Sequence, residues 1–281
     1  VLVAIKSMAT RLEIISFERI RDEFIKILMS PSPRIGITVL VETGLADYFL
    51  PEVPKLKLEI DEHHHHKDVY EHSLTVLEQA IGLESRLDGP NLTLRLAALL
   101  HDIGKPKTKQ LIAGGGVSFH HHEVVGARMC KERMKKLRFD NHMIEDVSQL
   151  VFLHLRFHGY GSGEWTDSAV RRYVRDAGPL LTHLHLLTRA DCTTRNKKKA
   201  ESLAKTYDQL EERIALLMEQ EELDKIRPDL SGEEIMQILG IKPSPTVGKA
   251  YDFLLELRLE KGPIGKEAAT EELLTWWKGQ N

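Results

Sequence analysis

The sequence predicts an all-α protein, and three observations support this fold class. Apolar residues recur at helical spacing along most of the 281 residues, for example at i, i+4, i+7 and i+8 from Ile20. N-cap residues, glycines and prolines bound most of these segments. The one departure is the stretch 108–119, where the pattern breaks at Gly114-Gly115-Gly116 and indicates a small β-hairpin or a flexible loop.

Caps and breakers define the individual helices. Ser16 can cap the first helix, Pro31 stops it, and Gly44 suits the left-handed C-cap of the second. Near the C-terminus, Ser231 and Glu234 have the spacing of a capping box. The predicted helices span residues 16–28, 35–43, 68–81, 92–102, 123–137, 143–154, 166–177, 180–192, 197–218, 231–240, 245–261 and a last segment that ends at Trp276-Trp277.

Composition excludes several classes of protein. The net charge of −3 gives no overall basic character, and 42% hydrophobic with 29% charged residues excludes wholesale disorder. Cys130 and Cys192 are too few for a disulfide framework and indicate a reducing compartment. Because no apolar run of about 18 residues and no leader pattern occurs, we expect a cytoplasmic protein without a membrane partner. The start at Val1, without an initiator Met, leads us to expect a piece of a longer protein.

Fourteen histidines stand out in the composition, and some lie where a helix should face inward. His72 lies on the apolar side of its helix, and the pair His101-Asp102 ends a buried helix. His154 and Asp191 each end an apolar run. A single buried histidine is usually a satisfied core residue, but several such groups are costly to bury unless they are paired or bind metal. Imidazole with carboxylate suits Mg, Mn, Fe, Ni or Zn, and no thiolate set for a structural zinc is available.

The order of these residues, together with the string LLHDIGKPKT, resembles the HD-domain superfamily of metal-dependent phosphohydrolases. The resemblance implies four ligands for a first ion, namely His72, His101, Asp102 and Asp191. Many members add two histidines for a second ion, and His122 in FHHHE and His154 stand in those places. The chain has HGYG at 158–161 but lacks the GYP motif of the cyclic-dinucleotide branch, which we set aside.

Longer strings narrow this resemblance. Bacterial CCA-adding tRNA nucleotidyltransferases and poly(A) polymerases that carry an HD domain are similar to HKDVYEHSL (66–74), RLAALLHDIGKPKT (95–108), VSFHHHEVVGA (117–127) and LTRADCTTRN (187–196). The flanks resemble that family's RNA-binding neck and tail. The resemblance implies a helical neck at 1–55, an HD domain at 63–200 and a helical, tRNA-contacting tail at 201–281. The Gly-Ser and paired-Asp motifs of the family's N-terminal catalytic head do not occur, so we expect no CCA synthesis by this chain alone.

The resemblance also implies a chemistry. It predicts phosphohydrolase or 2′,3′-cyclic phosphodiesterase activity on RNA ends or nucleotides, with one or two divalent ions (Mg, Mn, Ni, Fe or Zn) that activate water for attack on phosphorus. Asp102 could bridge two ions or act as the base. Lys105 is a candidate phosphate contact or, alternatively, a helix-terminus lysine that complements the dipole. Glu123 could orient the neighbouring ligand His122.

Three basic clusters are the candidate RNA-binding surface. They lie in the predicted helix 123–137, after Asp191, and in the predicted helix 166–177. Such clusters can neutralise several phosphates, although a charge run is usually only a solvated helix face. With the family resemblance, we expect contacts to the 3′ end and elbow of tRNA. The candidate residues are Arg128, Lys131, Lys135, Lys136, Arg171, Arg172, Lys197 and Lys198.

Two functions from different classes follow. The first is a tRNA-binding part of a tRNA nucleotidyltransferase with a catalytic HD site. The second is a non-catalytic tRNA-binding body whose site holds a structural ion. The complete six-residue ligand set favours the first, because a retired site would be free to lose ligands. A stand-alone HD hydrolase of nucleotides leaves the neck-like and tail-like flanks unexplained, and the metal, the HD substrate and the oligomeric state stay open.

Overall fold

The computed structural model describes residues 1–58, 68–112, 117–157, 165–194, 196–221 and 226–280. These residues are helical apart from one two-stranded antiparallel sheet, which confirms the all-α prediction with a small hairpin. The chain divides into two compact units, which comprise residues 1–158 with 179–204 and residues 159–178 with 205–281. None of the helices in the described segments is long and apolar enough to cross a membrane.

The first unit begins with short helices around a small apolar core. They are α1 (Leu2–Ser7), α2 (Phe17–Leu28), α3 (Pro33–Glu42), α4 (Ala46–Phe49) and α5 (Glu52–Lys55), with 3-10 helices at Ala9–Ile14 and Leu56–Leu58. Phe24 of α2 packs edge-on against Phe49 of α4, with ring centroids 5.6 Å apart. Pro33 opens α3, where its missing N–H is not needed. Gly44 follows this helix with a positive φ of 76°, as the C-cap prediction requires.

A bundle of longer helices completes the first unit. The helices of this bundle are α6 (Val69–Leu83), α7 (Leu92–Leu100), α8 (Lys105–Thr108), α9 (His122–Lys136), α10 (Asn141–Leu153) and α12 (Leu181–Asp191), with a 3-10 helix at Glu84–Arg86. Between α10 and α12 the chain forms α11 (Asp167–Ala177), which belongs to the second unit, and a 3-10 helix at Gly178–Leu180. Helix α7 is central, because every residue from Leu94 to Leu100 is buried and α6, α10 and α12 pack around it. Helix α9 packs along α10 and against α8. This arrangement brings the ends of several helices to one place.

The predicted hairpin is present between α8 and α9. Strands β1 (Gln110–Leu111) and β2 (Val117–Ser118) pair antiparallel, with Gln110 opposite Ser118. The sequence Gly114-Gly115-Gly116 lies outside the described residues, as do the histidine run His63–His66, the HGYG string at 158–161 and Arg195.

A buried arginine joins the short N-terminal helices to the bundle. Arg95 of α7 is only 3% exposed and forms a two-pronged ion pair with Glu84, with both nitrogen–oxygen distances at 2.7 Å. Its remaining nitrogen donates to the backbone carbonyls of Leu28 (2.8 Å) and Ser30 (3.0 Å) at the end of α2. A helix end leaves its last carbonyls without intrahelical partners, so Arg95 caps α2 from another helix.

The second unit has its own core. It contains α11, the part of α13 (Lys197–Glu221) from residue 205 onward, α14 (Gly232–Leu239), α15 (Pro245–Lys261) and α16 (Gly265–Lys278). The core residues are Leu230, Ile235, Ala250, Leu254, Ala269 and Leu273. The predicted capping box is present, with reciprocal hydrogen bonds between Ser231 and Glu234. Trp276 stacks on Phe253 with ring centroids 5.5 Å apart, so this tryptophan docks the last helix.

Candidate metal centre

Five helix ends or faces place six potential ligands together in the first unit. His72 comes from the first turn of α6, the pair His101-Asp102 follows α7, and His122 opens α9. His154 follows α10, and Asp191 is the last residue of α12. Five of the six side chains are buried, with no more than 6% of their surface exposed, namely His72, His101, Asp102, His122 and His154. The side chain of Asp191 is 20% exposed and marks the most open side of the cluster.

The two carboxylate oxygens of Asp102 face two different groups of histidines. Its Oδ2 lies 3.2 Å from Nε2 of His101 and 3.6 Å from Nε2 of His72. Its Oδ1 lies 3.2 Å from Nε2 of His122 and 3.9 Å from Nε2 of His154. Asp102 is therefore a member of both potential ligand triads, His72-His101-Asp102 and Asp102-His122-His154. This is the arrangement that the bridging alternative for Asp102 requires.

Each histidine is oriented through its other ring nitrogen. The Nδ1 atoms of His101, His122 and His154 lie 2.9, 2.8 and 2.6 Å from the backbone carbonyls of residues 98, 119 and 151. A carbonyl only accepts hydrogen bonds, so each Nδ1 carries a proton and each Nε2 points into the cluster. This is the usual orientation of metal-bound histidines.

The Nε2 atoms of the four histidines therefore converge inside the cluster with few hydrogen-bond partners. Nε2 of His72 lies only 3.3 Å from Nε2 of His101. Nε2 of His122 and Nε2 of His154 are buried and make no hydrogen bond to any described residue. Buried polar atoms without partners are costly, and a cation among them would satisfy all of these acceptors together. The cluster of imidazoles and carboxylates thus fits one or two divalent ions, and the donor set does not identify the metal.

Burial and neighbouring charges shift the pKa values of the residues in the cluster. Burial opposes the charge of Asp102, but the neighbouring His101 and Lys105 hold the pKa of its carboxyl well below its usual range. Burial lowers the pKa of His154 to about 3. For His101 burial acts in the same direction, but the charge of Asp102 outweighs it and raises the pKa to about 9. Asp102 is therefore ionised and His154 neutral, which are the protonation states of metal ligands, whereas a bound metal ion would have to displace a proton from His101.

Lys105 lies beside the cluster. It is 7% exposed, and its ammonium is 2.9 Å from Oδ2 of Asp102 and 5.7 Å from the ring centroid of Phe119. It begins the short helix α8, whereas the sequence-based alternative placed it at the end of a longer helix. Its charge is therefore directed at the ligand carboxylate. Glu123, the predicted orienting residue, lies 3.8 Å from exposed His121, and the structure gives Nδ1 of His122 to a backbone carbonyl instead.

A close contact between two backbones sets the position of His122. A Cβ atom added to Gly104 would lie 2.7 Å from the amide nitrogen of Gly126 and nearer still to the carbonyl oxygen of His122. Gly104 has ordinary helical dihedral angles, so space and not conformation requires glycine here. His121, just before α9, has a left-handed φ of 61°, which turns the chain into the helix at the ligand. Together they hold His122 against Asp102.

Comparisons with known proteins agree with this geometry. Residues 69–196 match the HD domain family, and residues 1–56 match the family described as "Probable RNA and SrmB-binding site of polymerase A". The chain is 32% identical over 277 residues, 98% of its length, to the A-adding tRNA nucleotidyltransferase of Deinococcus radiodurans. It is 32% identical over 93% of its length to the CC-adding tRNA nucleotidyltransferase of Thermus thermophilus. Along nearly its whole length, the chain is therefore similar to part of these tRNA nucleotidyltransferases.

The chain spans about three fifths of the length of those two relatives, 62% and 57%. It is also 35% identical over about half of its length to the multifunctional CCA protein of Neisseria meningitidis, of which it covers 33%. The sequence-based recognition of the family, with an RNA-binding region followed by an HD domain, is confirmed. The boundaries of the three domains stay a prediction, and α11 packs with α15 in the second unit.

The candidate RNA-binding residues of this chain have different surroundings. Those on α9 and at the start of α13 are exposed, namely Arg128, Lys131, Lys135, Lys136, Lys197 and Lys198. Arg172 pairs with Glu256 and Glu260 at 3.1 and 3.0 Å. Arg171 is 6% exposed and pairs through two nitrogens with Glu221, each at 2.8 Å. Arg171 therefore stabilises the second unit from inside, and we do not carry it into the proposed RNA surface.

Sequence reasoning missed two residues beside the ligands. The hydroxyl of Thr193 lies 3.2 Å from Nδ1 of His72, and Gln79 contacts the end of α12. Thr193 stands 121 positions from its partner, so no local pattern could indicate the contact. Position alone offered a signal, because Gln79 follows His72 by two helical turns.

Proposed function

We propose that this chain is the tRNA-binding and metal-dependent phosphohydrolase part of a tRNA nucleotidyltransferase. The observation that carries the proposal is the convergence of the Nε2 atoms of four histidines around one shared carboxylate, Asp102. One ion would be held by His72, His101, Asp102 and Asp191. A second would be held by Asp102, His122 and His154.

The residues around the centre suit phosphoester chemistry. Divalent ions held by these residues would supply Lewis acidity and would acidify a bound water for attack on phosphorus. Lys105 adds a fixed positive charge beside Asp102, where it can attract a phosphate oxygen. Burial of the ligands excludes bulk water, and a low local dielectric strengthens each of these charge interactions. The partly exposed Asp191 gives the substrate an entry side.

The proposed substrate class follows from the flanks. Residues 1–56 match an RNA-binding family, and the two relatives that span most of the chain are named for adding A or CC to tRNA. Exposed basic residues on α9, including Arg128 and Lys135, can neutralise backbone phosphates. We therefore propose that tRNA binds with its elbow and 3′ end on this chain, and that the HD centre hydrolyses a phosphoester at an RNA end or in a nucleotide. The chain alone is not expected to add CCA, because the head motifs do not occur in its sequence.

The decisive experiment is hydrolysis of bis-p-nitrophenyl phosphate and 2′,3′-cyclic AMP with Mg, Mn, Ni and Fe in turn. Wild type is compared with Asp102→Ala and with the control Asp252→Ala, which removes an exposed carboxylate in α15. We expect metal-dependent turnover in wild type and in the control, and none in Asp102→Ala.

Metal analysis of the same three proteins separates the alternatives. Bound metal without turnover in wild type would favour the non-catalytic tRNA-binding body with a structural ion. No bound metal in wild type would show that the ligand assignment is wrong.

A further inference from the structure

Asp191 reaches the metal centre from the weakest part of its helix. It is the last residue of α12, and at Cys192 the chain leaves the helix with φ −71° and ψ 82°. The last carbonyls of a helix have no intrahelical donor, so such an end frays unless another group holds it. Among the six candidate ligands, Asp191 also has the most exposed side chain. Its position therefore depends on contacts made from outside α12.

Gln79 of α6 supplies such contacts. Its side-chain amide faces the backbone carbonyls of Ala190 and Cys192, which flank Asp191 on both sides. An amide oxygen there would meet two acceptors, so the hydrogen bonding assigns the nitrogen to this side, 2.6 Å from the first carbonyl oxygen and 3.3 Å from the second. One donor group thus holds the peptide units before and after the ligand.

His72 contacts the same segment from the same side of α6. It precedes Gln79 by seven positions, which is two helical turns, so both side chains lie on one face. Its Nε2 lies 2.9 Å from Oδ1 of Asp191, and its Nδ1 lies 3.2 Å from the hydroxyl of Thr193. Helix α6 therefore contacts residues 190–193 through two side chains, His72 and Gln79, which lie two helical turns apart.

We propose that Gln79 is a positioning residue of the metal centre, which acts by fixing the end of α12 so that the Asp191 carboxylate lies against His72. This inference rests on the proposed metal site and deepens it. Groups that orient metal ligands typically change metal affinity by about 10- to 100-fold when they are lost. Loss of the Gln79 donor should weaken metal binding without any change in the ligands themselves.

The test uses the full 281-residue chain and three substitutions at one half-buried position. Gln79→Met keeps the length and removes the donor. Gln79→Glu keeps the shape and places a carboxylate oxygen against two carbonyls. Gln79→Lys keeps a donor and has no acceptor. Gln209→Met, on the exposed side of α13, controls for the loss of a glutamine.

The readouts are the dissociation constant for Mn²⁺ by calorimetry and the melting temperature with and without Mn²⁺. We expect Gln79→Met and Gln79→Glu to raise the dissociation constant about 10- to 100-fold, and Gln79→Lys and Gln209→Met to leave it near the wild-type value. Tenfold weaker binding lowers the metal-dependent stabilisation by about 1.4 kcal/mol, while the metal-free melting temperature should change little.

Two results would overturn the inference. One is an unchanged dissociation constant in both variants that lack a donor. The other is equal weakening by Gln79→Lys, because a donor would then not restore the site. Absence of Mn²⁺ binding by the wild type is a different failure, which overturns the proposed metal centre itself.

Discussion

Replacing Gly104 by alanine tests whether the close approach of two backbones positions the second half of the metal centre. The added Cβ would lie 2.7 Å from the amide nitrogen of Gly126, whereas non-bonded heavy atoms are comfortable at about 3.5 Å. The turn that carries Asp102 and the first turn of α9 must therefore separate by more than about 0.8 Å, because the carbonyl oxygen of His122 is nearer still to the added Cβ. The contact between Asp102 and Nε2 of His122, now 3.2 Å, lies directly across this gap.

The expected magnitude follows from that separation. Overpacking a tight contact typically costs about 1 to 3 kcal/mol, which for a unit of this size lowers the melting temperature by about 2 to 12 °C. Because the shift moves a ligand, metal affinity should also fall by about 10- to 100-fold, although no ligand is replaced.

A matched control uses Gly82, which lies inside α6 and has no heavy atom within 4 Å of an added Cβ. Gly82→Ala should leave metal binding unchanged and raise stability by up to about 1 kcal/mol, because alanine is the better helix former. Thermal unfolding and Mn²⁺ calorimetry on both variants decide the matter. If Gly104→Ala matches wild type in melting temperature and in metal affinity, the backbone contact does not position His122.

Three further predictions concern other parts of the chain. Arg95→Met should lower the free energy of unfolding of the first unit in urea by about 3 to 5 kcal/mol, because Glu84 is left buried and unpaired. Adding Glu84→Gln should recover much of this loss. A loss within about 0.5 kcal/mol for Arg95→Met would contradict the role of this ion pair. Burial raises the pKa of the Cys130 thiol to about 12, so at pH 8 about one thiol in 10,000 is ionised, and Ellman's reagent should label Cys130 only after unfolding. Rapid labelling of both thiols in the native protein would contradict this. Lys135→Ala should weaken tRNA binding and reduce its salt dependence, whereas Glu132→Ala, at another exposed position of α9, should strengthen binding. Equal effects of the two changes in a filter-binding titration would argue against a phosphate-binding surface on α9.

Much of the fold was predictable because its signals are local. Apolar spacing and capping residues act within one or two turns, and they located the longer helices to within a few residues. The capping box between Ser231 and Glu234 was predictable because the two residues are only three positions apart. The short helices α4, α5 and α8 were missed, since four residues are too few to display a helical period.

The ligand set was predictable through the resemblance, but its supports were not. The split of Asp102 between two groups of histidines depends on how five helices meet, and periodicity cannot show this. The expectation of an RNA contact at Arg171 met a similar limit. Its partner Glu221 is 50 positions away, so a basic residue of the core had the same appearance as a surface one.

The cap that Arg95 places on α2 has a mechanical consequence. Arg95 precedes His101 by six positions, which is about 9 Å along the axis of a helix. One helix therefore holds the region that matches an RNA-binding family at one end and carries the candidate metal ligands at the other. Nucleic acid bound by residues 1–56 would therefore lie at a fixed distance from the candidate metal centre. A strand that is too short or too long would not reach the centre with its reactive phosphoester.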